Sequence, residues 1–299
     1  MDTPFDPAGM PTGTLLQLSP LVGRVLAPNP SPFTYTGTQT YLIGRSPPKS
    51  GDVAVVDPGP DDAAHIAALL QAIGDRPVRA ILCTHTHRDH SPAARPLAER
   101  TGAPIIGCAP LTLEDDGPRA DAAFDDAYRP DLVLTDGEAI DGEGWTLRAV
   151  ATPGHTSNHL CFALSETGAL FTGDHVMGWS TSVISPPDGD MTAYMASLQK
   201  LYDRGQDTVY YPAHGAAVEK PRQLVRGMIG HRRQREKQIL RQIEAGRTRI
   251  AEMVPQMYKG VDERLWPAAG RSVLAHLIDL ERRGVAVRDE EEWTLIGLK

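Results

Sequence analysis

A chain of 299 residues with 41% apolar side chains is long enough to bury a sizeable core, in one large domain or two, and this excludes the disordered and fibrous classes. Its formal charge of −8 disfavours indiscriminate binding to polyanions. The start, Met1-Asp2-Thr3-Pro4-Phe5-Asp6, has acids and prolines where a secretion signal needs a basic start and an apolar run, and no stretch approaches the roughly 20 apolar residues of a membrane span.

A cytoplasmic protein with no membrane partner is therefore expected. Cys83, Cys108 and Cys161 are odd in number and widely separated, which fits a reducing compartment better than a disulfide framework.

In chain order, residues 15–25 predict an edge strand, residues 34–43 a strand alternating Thr and Tyr with Leu and Ile, and residues 53–56 another, ended by Asp57-Pro58-Gly59. Residues 61–73 predict a helix with Ile66, Leu69, Leu70 and Ile73 on its apolar side and Gly74 as its stop; His65 reads as a surface residue of that helix. Residues 78–83 predict a buried strand. It runs into Thr84-His85-Thr86-His87-Arg88-Asp89-His90.

Three imidazoles and a carboxylate within six residues are too many polar ligand groups for a core strand and too specific in kind for an ordinary turn. They predict a cation site, with His85 and His87 leaving the strand on the same side. Ser91-Pro92 is a helix-start signal, although Pro96 is close enough to move the start.

Residues 103–107 predict a further strand, and the acidic, aperiodic residues 113–126 predict a surface insertion near the site. Strands are then expected at 132–134, 146–151, 160–164 and 169–172. Three more polar motifs fall at or just after strands: Thr152-Pro153-Gly154-His155-Thr156, Phe171-Thr172-Gly173-Asp174-His175 and Tyr211-Pro212-Ala213-His214-Gly215. Residues 178–190 form a loop expected over the site, where Trp179 and Ser180 are placed to touch substrate, packing under the loop being the equal alternative for Trp179. Asp190 should cap a helix through Tyr202, and residues 208–211 should form the strand leading to His214.

Charge balance then changes. Residues 1–218 hold 13 Lys and Arg against 26 Asp and Glu, and residues 219–299 hold 17 against 12, so a domain boundary is placed between 218 and 219. The tail predicts helices over 222–245, from a cap at Thr248, and near 271–283, followed by a hairpin of 285–288 with 293–296. Three helices and a hairpin resemble a winged helix.

His85 to His90, with spacing H-x-H-x-D-H at a strand end and the later motifs in order, resembles the metal motif of the metallo-β-lactamase superfamily. That resemblance implies an α/β fold, a four-layer αβ/βα sandwich, with His85, His87 and His155 on one metal, Asp89, His90 and His214 on a second, and Asp174 bridging both. It implies two divalent ions, with zinc favoured and manganese or iron compatible with nitrogen and oxygen ligands. Asp57 matches a further family position, where it would orient ligands rather than be one. With the tail, and with the Gly173 to Trp179 loop and His231-Arg232-Arg233-Gln234-Arg235-Glu236 in the linking helix, nearly the whole chain resembles the beta-lactamase-like-protein-2 group, which includes a single-strand-specific endoribonuclease.

The implied activity is hydrolysis of an ester-type or phosphodiester bond by a metal-bridging hydroxide, with Asp89 and Asp174 as catalytic groups and His231 a further candidate near the substrate. Single-stranded RNA is one candidate substrate, and Arg222, Arg226, Arg232, Arg233, Arg235, Lys237 and Arg241 offer it a basic track. A small-molecule thioester, ester or lactam is the alternative. Asp174, standing where some true lactamases use cysteine for the second metal, points away from lactams. A winged-helix DNA reader is the non-enzymatic reading, but Asp289, Glu290, Glu291 and Glu292 would repel the phosphates, so a packing or homodimer-forming role for the tail is preferred.

Overall fold

The structure is a computed structural model and describes residues 10–45, 51–111 and 124–297. Seven strands form the first sheet in sequence order: β1 (Leu16–Ser19), β2 (Val22–Leu26), β3 (Gln39–Ile43), β4 (Val53–Val56), β5 (Val78–Cys83), β6 (Ile105–Gly107) and β7 (Leu132–Val133). Pairing is antiparallel as far as β4 and parallel beyond it. Within the parallel part, α1 (Ala63–Ile73) joins β4 to β5 and α2 (Ala94–Thr101) joins β5 to β6.

The second sheet has β8 (Ala139–Gly142), β9 (Trp145–Ala151), β10 (Leu160–Leu164), β11 (Ala169–Gly173) and β12 (Val209–Pro212), with β12 parallel to β11 across α3 (Met191–Asp203). Alternation along β10 explains the layering. Leu160, Phe162 and Leu164 join Val22, Tyr41 and Ile81 in the core between the sheets, whereas Cys161 and Ala163 face Tyr194, Leu198 and Val225 of the covering helices. Four layers result, αβ/βα, as the resemblance implies. Trp145 links the sheets by donating from Nε1 to Asp52 Oδ1 at 3.0 Å.

The tail comprises α4 (Pro221–Glu244), α5 (Ile250–Met257), α6 (Trp266–Arg282) and the hairpin β13 (Ala286–Asp289) and β14 (Glu292–Leu295), a winged-helix domain. α4 serves two cores. Val225, Met228 and Ile229 pack with α3, while Ile239 and Ile243 pack with Met253, Leu277 and Trp293 of the tail. Among the described residues, no helix is long and apolar enough to cross a membrane.

Several expectations change. Residues 15–25 are a hairpin of two strands, since the chain reverses between Ser19 and Val22. Residues 34–38 precede β3 instead of belonging to it, and β8 was not anticipated because only its Ile140 is a large apolar residue. α2 starts at Ala94, beyond Ser91-Pro92, with Pro96 in the first turn, where no intrahelical donor is needed. The third tail helix starts at Trp266, with Pro267 in its first turn. Most of the acidic segment expected as an insertion over 113–126 lies outside the described residues.

His65 is not a surface residue. It is 1% exposed because it shares the inward stripe of α1 with Leu69 and Ile73, at steps of four. Its Nε2 lies 3.0 Å from Thr40 Oγ1 and 3.1 Å from Pro58 O. Burial pushes its pKa down to about 4, opposed by the Pro58 carbonyl and Asp62.

Candidate metal centre

The histidine and aspartate motifs of the sheet domain reach the same rim of the two sheets. β4 ends in Asp57, β5 in the turn from Thr84 to His90, β9 in the turn carrying His155, β11 in Asp174 and β12 in the turn carrying His214. Rigid strands thereby fix eight polar side chains at five strand ends, an arrangement that no single loop could hold.

Two groups of donor atoms result. His85, His87, His155 and Asp174 form one, and Asp89, His90 and His214 the other, with the donor atoms of each group within 4.8 Å of one another. In the first, His87 Nδ1 lies 2.9 Å from His85 Nε2 and 3.2 Å from His155 Nε2. In the second, His214 Nε2 is 3.1 Å from Asp89 Oδ2, and His90 Nε2 is 3.4 Å from the same oxygen. Asp174 lies between the groups: Oδ2 is 3.7 Å from His155 Nε2, and Oδ1 is 3.3 Å from His214 Nε2 and 3.6 Å from His90 Nε2.

The donor set suits a cation of intermediate softness, being imidazole and carboxylate throughout. Two buried atoms aimed into the cluster, His90 Nε2 and Asp174 Oδ1, have no hydrogen-bond partner, a costly state that a bound cation would relieve. Burial, with His90 and His87 beside it, pushes His85 far below its ordinary pKa, and burial with His155 takes His87 down to about 3. Both shifts favour the neutral imidazole, the form that binds a metal, whereas, against burial, the Asp89 and Asp174 carboxylates raise His90 and His214. Burial alone would raise Asp89 and Asp174, but the His90 and His214 imidazoles hold both well below the carboxylate range.

Outer contacts orient the donor groups. Asp57 accepts from Thr84 N and Oγ1, both at 2.8 Å, and its Oδ2 lies 3.0 Å from His90 Nδ1. Thr84 Oγ1 is also 3.0 Å from His85 Nδ1. His155 Nδ1 donates to Val183 O at 2.6 Å, and His214 Nδ1 to Gly37 O at 3.2 Å. Each contact leaves the opposite nitrogen for the cluster.

The sequence reading missed His159, which is 1% exposed. Its Nε2 accepts the backbone N–H of Asp174 at 3.2 Å while its Nδ1 lies 2.9 Å from Thr152 Oγ1. Period-two spacing from Cys161 in a buried strand was the available signal.

A cavity of about 280 Å³ opens onto Asp89, His155, Asp174 and His214. Phe33, Pro60, Met177, Trp179 and Val183 supply apolar wall, and Ser180 also lines it. Trp179 stacks on Tyr35, ring centroids 4.6 Å apart and planes 9° apart, joining the two loops at its rim. The expected substrate loop thus brings Trp179 and Ser180 to the cavity. His231 is not brought there: it sits half-buried on α4 near Arg232 and Arg235 and does not line the cavity.

Residues 34–214 match the metallo-beta-lactamase superfamily profile, and residues 250–293 match the beta-lactamase associated winged helix domain. A Drosophila melanogaster relative, "Beta-lactamase-like protein 2 homolog", is 34% identical over 289 residues, 90% of each chain. An Aspergillus fumigatus relative, "Atrochrysone carboxyl ACP thioesterase", is 34% identical over 228 residues, 75% of this chain and 65% of its own length. Among solved structures, a beta-lactamase domain protein from Burkholderia ambifaria superposes with TM-score 0.74 at 22% identity, covering 95% of both chains. A metallo-beta-lactamase family protein from Thermus thermophilus gives 0.72 at 23% identity, covering 93% of this chain and 100% of that one.

Proposed function

The chain belongs to the metallo-β-lactamase superfamily and is a metal-dependent hydrolase, and from that premise we propose that it cleaves small acyl thioesters or esters. His85, His87, His155 and Asp174 would hold one divalent ion, and Asp89, His90 and His214, with the second oxygen of Asp174, the other. Zinc is the ion we assign, and residues 1–218 the catalytic domain, with 219–299 as linking helix and winged helix. Two such ions, when bound, supply a water acidic enough to deprotonate near neutral pH and positive charge opposite a developing oxyanion.

The protein's own groups do the rest. Phe33, Met177, Trp179 and Val183 hold an apolar acyl group and displace water from around it, which strengthens every electrostatic contact in the site. Asp89 faces the cavity and is placed to carry a proton to the departing thiolate or alkoxide. Asp57 and His159 keep His90 and Asp174 in register.

The observation that carries this reading is the apolar wall directly above the donor cluster. It favours an acyl group over a polyanion, since Arg88 is the one Lys or Arg among the described lining residues. The basic track proposed for RNA is also interrupted: Arg232 is 4% exposed and donates to Ser182 O, and Arg235 donates to Met257 O at 3.1 Å. The thioesterase name of the Aspergillus fumigatus relative supports the same choice.

The test is parallel assay of the zinc-loaded protein on acyl thioesters with a chromogenic thiol and on labelled single-stranded RNA, with Asp174→Ala as the control. Thioester hydrolysis lost in the variant is expected. RNA cleavage lost in the variant, with no thioester turnover by either protein, would overturn the acyl reading and restore the endonuclease.

A further inference from the structure

We propose that Arg232, in the middle of α4, is a positioning residue of the metal centre, acting on His155 through the loop over residues 178–190. Its guanidinium is buried, donates from Nη2 to Ser182 O and lies 5.2 Å from the centroid of the Tyr194 ring. The next carbonyl along the chain, Val183 O, accepts from His155 Nδ1 at 2.6 Å. Two adjacent carbonyls are therefore held, one by the linking helix and one by a residue of the donor cluster. The same residues reach the other side of the site: Ser182 Oγ and Tyr194 Oη donate to His175 O, at 2.8 and 3.1 Å, immediately after Asp174.

A buried guanidinium is expensive unless paired. Among the described residues, none of the ion pairs involves Arg232, and its Nε has no partner. What it does have is a backbone carbonyl and an aromatic face, contacts that fix direction more than they compensate charge. Other contacts tie the winged-helix domain to the same segment and to the start of α3. Arg271 donates to Pro186 O at 3.4 Å, Arg282 pairs with Asp190, and Thr192 Oγ1 donates to Asp279 Oδ1 at 2.5 Å. Of these, Arg232 is the one that abuts a carbonyl in use by His155. A carbonyl free to drift would leave His155 free to rotate, and outer contacts of this kind typically change metal affinity by roughly 10- to 100-fold.

The inference rests on His155 as a ligand, so metal uptake by the wild type is measured first, by zinc competition with a chromophoric chelator. No uptake would sink both readings. For the role of Arg232, Arg232→Met preserves most of the apolar volume and removes the donors, Arg232→Lys keeps charge, and Arg282→Ala loosens the far end of the loop. We expect Arg232→Met to weaken zinc roughly 10- to 100-fold, Arg232→Lys to weaken it less, and Arg282→Ala to leave it unchanged.

A second readout separates positioning from general loosening. The imidazole N–H resonance of His155 should shift or broaden in either Arg232 variant, while that of His214, held by Gly37 O, should stay in place. Wild-type affinity with both resonances unchanged would overturn the role of Arg232, as would equal disturbance of both resonances. Should Arg232→Met not fold, the Arg232→Lys spectrum and affinity decide.

Discussion

Asp57 Oδ2 lies 3.0 Å from His90 Nδ1, and the same carboxylate is held by two donors of Thr84. Asp57 is 2% exposed and adopts a left-handed backbone with φ of 49°, so the turn places it there at a conformational cost. This contact turns His90 Nε2 toward Asp89 and Asp174. Asp57→Asn keeps one acceptor and removes the charge, and we expect zinc affinity at the second group to fall about tenfold, with Asp57→Ala falling towards a hundredfold. Calorimetric zinc titration of the two variants checks the order. Equal affinity in all three proteins would reject it.

Gly154 precedes His155 with φ of 140°, and an added Cβ would stand 2.3 Å from Tyr194 Cα. Gly173 precedes Asp174 with φ of 49°, and its Cβ would stand 2.6 Å from Thr84 Oγ1 and 2.7 Å from His159 Nε2. Tyr194 Cα is backbone, and Thr84 and His159 are buried side chains held by hydrogen bonds to Asp57, Thr152 and Asp174. Gly154→Ala and Gly173→Ala should each destabilise by about 2 kcal/mol or more and lower zinc content, whereas Gly227→Ala, which meets nothing within 4 Å, should be neutral or stabilising. Urea unfolding with metal analysis of the folded fraction measures both effects.

His65 sets an acid limit. Its folded pKa of about 4 lies below the ordinary 6.5, so the unfolded chain binds the extra proton first as pH falls. Its contribution is therefore complete above pH 6.5 and declines between 6.5 and about 4, by about 3 kcal/mol in all. Wild type should lose more stability between pH 7 and pH 5 than His65→Gln does, measured by urea midpoints in chelator. Parallel pH dependence in the two proteins would show that His65 does not contribute.

Trp179, 37% exposed and stacked on Tyr35, should govern acyl size. Trp179→Ala is expected to raise KM for aromatic or medium-chain acyl thioesters about 5- to 30-fold, equivalent to about 1–2 kcal/mol of lost contact, with little effect on acetyl thioesters. Steady-state kinetics across a chain-length series reads this directly. A uniform loss at every length would assign Trp179 to holding the loop instead.

Local chemistry decided much of this protein before any tertiary contact. His85, His87, Asp89 and His90 lie within six residues, so their grouping follows from chain connectivity, and the strand before them follows from its apolar run. The helix start at Asp190 was legible for the same reason, because a capping carboxylate bonds only three residues away, here to Ala193 N at 2.8 Å; the Asp62 cap of α1, bonded to His65 N at 2.7 Å, was not anticipated, that helix being expected from residue 61. The tail helices were legible in their bodies, whose apolar spacing is a property of each segment, but two of their starts were not: the second has Arg249 instead of Thr248 at its cap position, and the third begins at Trp266.

What depended on distance in sequence was not legible. His65 looked solvated because nothing local says that Thr40 and Pro58 will close over it, and His159 gave no sign that it meets Asp174. The cavity wall, built from Phe33, Pro60, Met177 and Val183 on separate loops, exists only once two sheets bring one rim together. The rotation of His214 and His155 likewise depends on the carbonyls Gly37 O and Val183 O, whose positions are set by packing. Sequence determines which groups are available to hold a cation and roughly where the strands end; tertiary structure decides which atoms converge, because orientation comes from contacts between segments that the chain alone does not connect.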